Sequence, residues 1–216
     1  MRRLESESPE ISSPQSRGLI LTAATAKAKV DLGVRAEAAG VNERMVGTAG
    51  LVADALVGHP IAPRDWHREK TLPWLRAAEA DANREPSSCR LVPYVLVSID
   101  QDREQAMRDA KSQIGFYYTV SVYRTILDHY GLGDVADACR KALATFDLPA
   151  MAGAISDSLV DAIAIACTPD EALDRLEQWN DLTDEVLLSA PQVGVAPGRV
   201  RDNLAAILDL LGRPVA

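Results

Sequence analysis

The segment Ala36–Pro60, AEAAGVNERMVGTAGLVADALVGHP, most limits what this chain can fold into, because it reads as strand, turn, short helix and strand. Ala36, Ala38 and Ala39 leave little bulk at the C-terminal end of the first strand, and Gly40 lets the backbone turn there or approach a bound group. In parallel α/β architectures that end of the strands is where ligands are held.

The same β-then-α order continues along the chain, which excludes all-β folds and argues for a parallel sheet. Val34–Ala39 and Ala53–Val57 are the first two expected strands, joined by a helix from Asn42 to Ala53. LILTAATAK, further upstream, is a rival for the first strand, but the helix and strand that must follow come too late after it. A helix over Arg64–Ala82 repeats Trp66, Leu72, Leu75 and Ala78 at loosely helical spacing. Leu91–Ile99 is a nearly continuous apolar run, the pattern of a strand buried on both faces, with Pro93 near its start where a missing donor is tolerated.

Asp100 and Asp102 favour a helix start, and Met107, Ala110, Ile114, Tyr117 and Val122 give the helix that follows one buried face as far as Gly131. Further helices are expected over Asp134–Thr145 and Ser156–Ala166, and another opens at Thr168-Pro169-Asp170-Glu171, a capping box with proline at the first helical position. Glu185–Ser189 is the fourth strand. Val200, Leu204, Ile207, Leu208 and Leu211 mark the apolar face of a closing helix. The expected sheet is therefore open and four-stranded, with Val34–Ala39, Ala53–Val57, Leu91–Ile99 and Glu185–Ser189 side by side in that order, and GLILT (Gly18–Thr22) is the one candidate for a fifth strand. Ala23–Leu32 reads as a weak alanine-rich helix or loop, residues 1–17 as a disordered tail rather than a signal peptide, and 18–216 as one domain.

Charge narrows the range of partners. With 31 acidic against 23 basic residues the net charge is -8, a field that repels phosphate backbones and anionic membranes, so neither nucleic acid nor a membrane is an expected partner. Cys89, Cys139 and Cys167 stand apart without a CxxC, which suits a reducing cytoplasm. His67 and His129 have no carboxylate or cysteine at metal-ligand spacing, so no metal site is expected. GxSxG, P-loop and GxGxxG signatures are missing, which removes the usual marks of acyl transfer, nucleotide hydrolysis and Rossmann-type binding.

The Ala36–Pro60 segment and three further motifs resemble the luciferase-like family of flavin- or deazaflavin-dependent oxidoreductases. Asn83-Arg84-Glu85-Pro86 leads into LVPYVLVSID and then a helix to Phe116-Tyr117-Tyr118. Cys167-Thr168-Pro169-Asp170-Glu171 is similar to the family's Gly-Thr-Pro-Asp-Glu, and DEVLLSAP (184–191) to its last barrel strand. The resemblance spans residues 34–212 and implies the fifth to eighth units of a (β/α)8 TIM barrel, a fold that typically needs about 250 residues. It therefore implies a partial barrel, truncated relative to the family. It also implies FMN or coenzyme F-420 as cofactor, a small-molecule substrate and monooxygenase or other oxidoreductase chemistry. A non-catalytic half-barrel remnant, or an interaction module that self-associates as a homodimer, is the alternative.

Ala38, Ala39, Gly40 and Asn42 are the expected cofactor-binding residues under that resemblance, with His59 on the substrate or cofactor rim. No catalytic residue is assigned. The competing reading of Ala38–Gly40 is a tightly packed strand-to-helix turn that needs small residues for steric reasons, and that of His59 is a loop histidine held by a backbone contact. Ala55 stands where relatives carry glycine in Ala-Asp-Gly, which closes space. Cys167, in place of the glycine before Thr-Pro-Asp-Glu, reads as a buried inert thiol.

Overall fold

The computed structural model describes residues 36–212, so the expected tail, the GLILT strand, the Ala23–Leu32 helix and the first two residues of the Val34–Ala39 strand lie outside it. β1 (Glu37–Ala39) leads through Asn42 into α1 (Glu43–Val52) and then β2 (Ala55–Val57). Asn42 starts the helix because its side-chain oxygen accepts the Met45 N–H at 3.1 Å, satisfying one orphan donor of the first turn.

The expected helix over 64–82 is present in three contiguous pieces: a turn at Arg64–Trp66, a π-helical turn at His67–Thr71 and α2 (Leu72–Asp81). Trp66, Leu75 and Ala78 are buried as their spacing predicts. Beyond α2 the Asn83–Pro86 motif has a structural task. Arg84 donates to the Gly50 and Ala53 carbonyls at 2.6 and 2.7 Å, capping the C-terminal end of α1. Glu79 gathers the same loop, accepting from the N–H groups of Cys89 and Ser87 and from Arg76. Burial works against its charge, but these donors outweigh it and hold the carboxyl below its usual range. Glu79→Leu strands those donors and is expected to cost about 3 kcal/mol in denaturant titration.

Pro93 corrects the expected four-stranded sheet. It divides the Leu91–Ile99 run into β3 (Arg90–Val92) and β4 (Tyr94–Ile99), and the strands form two three-stranded parallel sheets. Pro93 has no N–H to give to either neighbour, and the chain changes partners around it. The Val92 carbonyl accepts from Gly58 N on the β2 side, while the next carbonyl, that of Pro93, accepts from Leu187 N on the other, each at 2.9 Å. The expected neighbour order survives as β1 beside β2, β2 beside β3, and β4 beside β6 (Leu187–Ser189).

The strand missed in the sequence is β5 (Ala164–Cys167), which pairs with Leu96–Ile99 along the rest of β4. Residues 164–166 were expected to end a helix; that helix stops at Ile163, and the next four residues are extended and wholly buried. At β4 both faces of the sheet are covered: Leu96 and Ser98 are buried on one side, and Val95, Val97 and Ile99 on the other.

Helices provide that cover. α3 (Arg103–Tyr118) is capped by Asp102 and buries Met107, Ala110 and Ile114. It ends at Tyr118, earlier than expected. A 3₁₀ turn at Ser121–Tyr123 then leaves Val122 44% exposed instead of buried. α4 (Arg124–His129), α5 (Gly133–Ala144), α6 (Leu148–Gly153) and α7 (Asp157–Ile163) follow. Glu171 closes the capping box on the Thr168 N–H and hydroxyl, each at 3.2 Å, although α8 (Ala172–Glu177) begins only after it.

α9 (Pro197–Leu211) is turned away from its expected face. Asn203, Ile207 and Leu210 are buried, whereas Leu204, Leu208 and Leu211 are 46%, 68% and 60% exposed. The buried Asn203 side chain sets this rotation by accepting the Ile99 N–H at 2.8 Å at the end of β4. Arg199 fixes it further through ion pairs with Asp100 and Asp109.

Candidate functional site

β1 and β2 run parallel with Ala39 opposite Val57, so Gly40 and Gly58 leave the sheet together at its C-terminal edge. A cleft of about 250 Å³ opens there, lined by Ala39, Gly40, Val41, Asn42, Met45, Gly58, His59, Val122 and Tyr123. The structure thus brings Ala39, Gly40, Asn42 and His59 onto one rim. Ala38 is not part of it. Strand alternation turns Ala38 to the other face, where it packs against the buried cluster that contains Val46, Leu56, Leu75 and Leu91.

The smallness of Gly40 has a local cause. A Cβ added there would lie 2.9 Å from the Met45 Cβ and 3.2–3.3 Å from the backbone of Met45 and Val46, so the first turn of α1 itself requires glycine. Asn42 is likewise engaged in capping that turn. Gly40→Val is therefore expected to lower the melting temperature as well as any ligand affinity, whereas a purely ligand-facing glycine would lose affinity alone; thermal denaturation beside a titration separates the two.

His59 sits in an aromatic bracket that the sequence did not reveal. Its ring is tilted against Tyr123 with centroids 4.1 Å apart and meets Tyr117 edge-on at 4.9 Å. Nδ1 is buried without a hydrogen-bond partner, and burial lowers the imidazole pKa to about 4. At neutral pH the ring is uncharged and can offer a hydrogen bond, but it does not serve as a cation. Tyr117 and Tyr123 come from the end of α3 and the 3₁₀ turn, so the early stop of α3 builds one wall of the cleft. The signal that could have found this wall is the aromatic spacing from Phe116-Tyr117-Tyr118 to Tyr123.

A second histidine supports the cleft from behind. His67 is 1% exposed, its Nδ1 lies 3.2 Å from the Thr71 hydroxyl and its Nε2 has no partner. A Cβ on Gly58 would lie 3.0 Å from the His67 ring, a tight contact that the ring would have to yield to. Cys167, buried at the end of β5, has its thiol pushed up to about 11 by burial, which fits an inert thiol. Among the described residues no cluster of His, Cys, Asp or Glu could hold a metal ion, and no helix is long and apolar enough to cross a membrane.

Residues 20–185 match the family model of the luciferase-like monooxygenases. The chain belongs to that family. Over 153 residues this luciferase-like chain is 29% identical to an uncharacterized protein of Mycobacterium tuberculosis, covering 69% of this chain and 45% of that protein. It is 28% identical to the 5,10-methylenetetrahydromethanopterin reductase of Methanolobus tindarius, covering 70% of this chain and 46% of the reductase. Among solved structures, the coenzyme F-420-dependent tetrahydromethanopterin reductase of Methanopyrus kandleri superposes with a TM-score of 0.66 at 20% identity, over 85% of this chain and 50% of that one. At that identity the likeness shows the fold, a partial luciferase-like barrel with open parallel sheets. The chain spans about half the length of the relatives it matches.

Proposed function

We propose that the cleft at the ends of β1 and β2 holds the ring of a flavin or deazaflavin, FMN or coenzyme F-420, and that the protein is an oxidoreductase of the luciferase-like class acting on a small molecule. The observation that carries this reading is the convergence of Ala39, Gly40, Asn42 and His59 on one cleft at the C-terminal edge of two adjacent parallel strands. The lining fits such a group: small residues and Met45 leave a largely apolar slot, the tilted rings of His59 and Tyr123 form a wall for a planar system, and Asn42 lies at the positive end of α1. Bound there, the cofactor would supply hydride transfer or oxygen activation. The chain's own part is to orient it. His59, neutral and held between two tyrosines, offers a hydrogen bond without adding charge, and Tyr123 excludes water from one side of the ring.

Among the described residues no side chain lining the cleft stands out as a general acid or base, so no catalytic residue is assigned. A homodimer would supply a second half. The exposed Leu187 on β6 and the exposed Leu204, Leu208 and Leu211 on α9 favour self-association. Light scattering over a concentration series is expected to show a dimer, and a stable monomer at high concentration would remove this element.

Absorbance titration of the purified chain with FMN and with coenzyme F-420 tests the cofactor reading. A saturable spectral shift with either supports it. No perturbation at millimolar cofactor would favour the non-catalytic remnant.

A further inference from the structure

A second cavity, of about 290 Å³, shares no lining residue with the cleft at β1 and β2. Three segments meet there: Pro63 and Asp65 in the stretch after β2, Tyr130 and Leu132 in the turn between α4 and α5, and the start of α7. Pro63, Leu132, Leu159 and Ala162 give it apolar walls. Its polar groups differ in how far they are already engaged. Ser156 accepts the Leu159 N–H at 3.2 Å and lies 3.0 Å from the Ser158 hydroxyl, so these two satisfy each other and the helix start. The Tyr130 hydroxyl is buried and has no hydrogen-bond partner among the described residues. Burial, with the negative charges of Glu69 and Asp65 adding to it, pushes that phenol up to about 12. Glu69 pairs with His129 at 3.0 Å, whereas Asp65 has only a share of Arg68, which also binds Asp181. No lysine or arginine lines the cavity.

We propose that this cavity binds a small organic ammonium ion, whose apolar body lies against Pro63, Leu132 and Leu159 and whose N–H groups donate to the Tyr130 hydroxyl oxygen and the Asp65 carboxylate. The ligand supplies the hydrogen bond that the buried hydroxyl lacks, and it compensates the carboxylate charge that one shared guanidinium leaves over. An anion meets the same carboxylates with no cation to offset them, so a phosphorylated flavin or deazaflavin is turned away. The site is thus separate from the proposed cofactor cleft in both place and charge.

Benzylamine, cationic at neutral pH, and benzyl alcohol, its uncharged counterpart, are the probes, titrated into the full chain with amide chemical shifts as the readout. Benzylamine is expected to saturate with a Kd on the order of 1 mM, the range open to a ligand of about eight non-hydrogen atoms. It is expected to shift the amides of Leu132, Ser158 and Ala162 and to bind at least tenfold more tightly than the alcohol. Tyr130→Phe and Asp65→Asn should each weaken it at least fivefold. Ala162→Phe fills the cavity from an exposed position, and should abolish binding with the melting temperature kept. Equal binding of amine and alcohol, shifts centred outside the cavity, no saturation at ten times the expected Kd, or full affinity in any of the three variants would overturn the proposal. FMN shifts at the other cleft are read separately, so failure of one site does not imply failure of the other.

Discussion

Stability against denaturant is expected to fall by about 3 kcal/mol as pH drops from 6.5 to 4, with His67 as the main source. Burial lowers the folded-state pKa of His67 from 6.5 to about 4, and its Nε2 has no partner to repay a proton. Between those pH values the unfolded chain binds a proton at this position that the folded chain refuses. Folding stability therefore rises with pH across the window and is level above it; below about pH 4 both states are protonated and this contribution no longer changes. His59 shares the direction with a smaller, solvent-screened contribution. Urea titrations at successive pH values check the slope, and His67→Leu is expected to flatten it. A wild-type slope that persists in His67→Leu would place the acid sensitivity elsewhere.

Ala39→Trp is expected to weaken cofactor binding at least a hundredfold while leaving the melting temperature nearly unchanged. Ala39 is exposed, lies at the end of β1 and forms part of the cleft wall, so an indole there fills the slot without entering the core. The same change at Ala38 enters the buried cluster it packs against and is expected to unfold the region by overpacking it. The contrast between neighbouring alanines is the test: binding lost with the fold kept at position 39, and the fold lost at position 38. Equal affinity in Ala39→Trp and wild type would remove the cleft as the binding place.

Much of the architecture was legible because strong local signals agree with the tertiary arrangement. The helix start at Asn42, the Asp102 cap and the apolar run into β4 were each legible before any contact was known. The failures have identifiable causes. Pro93 was read as tolerated within one strand, yet its missing N–H makes it the point where one sheet passes into the next. β5 was hidden because AIAC continues the apolar pattern of α7, and a short buried run does not distinguish helix from strand. The face of α9 was misread because a polar residue, Asn203, is its most buried position, satisfied by the Ile99 N–H that a sequence cannot place.

At the site, the strand ends were visible as small residues, and four of the five expected residues share the cleft. The reason for Gly40 was not visible, since the close approach of Met45 appears only in three dimensions. The tyrosine bracket around His59 was likewise hidden, being assembled across nearly sixty residues of sequence.

The edge formed by β1 and β2 is proposed to receive a flavin or deazaflavin ring. Amide and methyl chemical-shift mapping during titration with FMN and with coenzyme F-420 addresses it directly. The predicted result is saturable perturbation confined to Ala39, Gly40, Asn42, Met45, Gly58 and His59, with Tyr123 shifting by ring current. Perturbations centred elsewhere, or none at saturating cofactor, would contradict it.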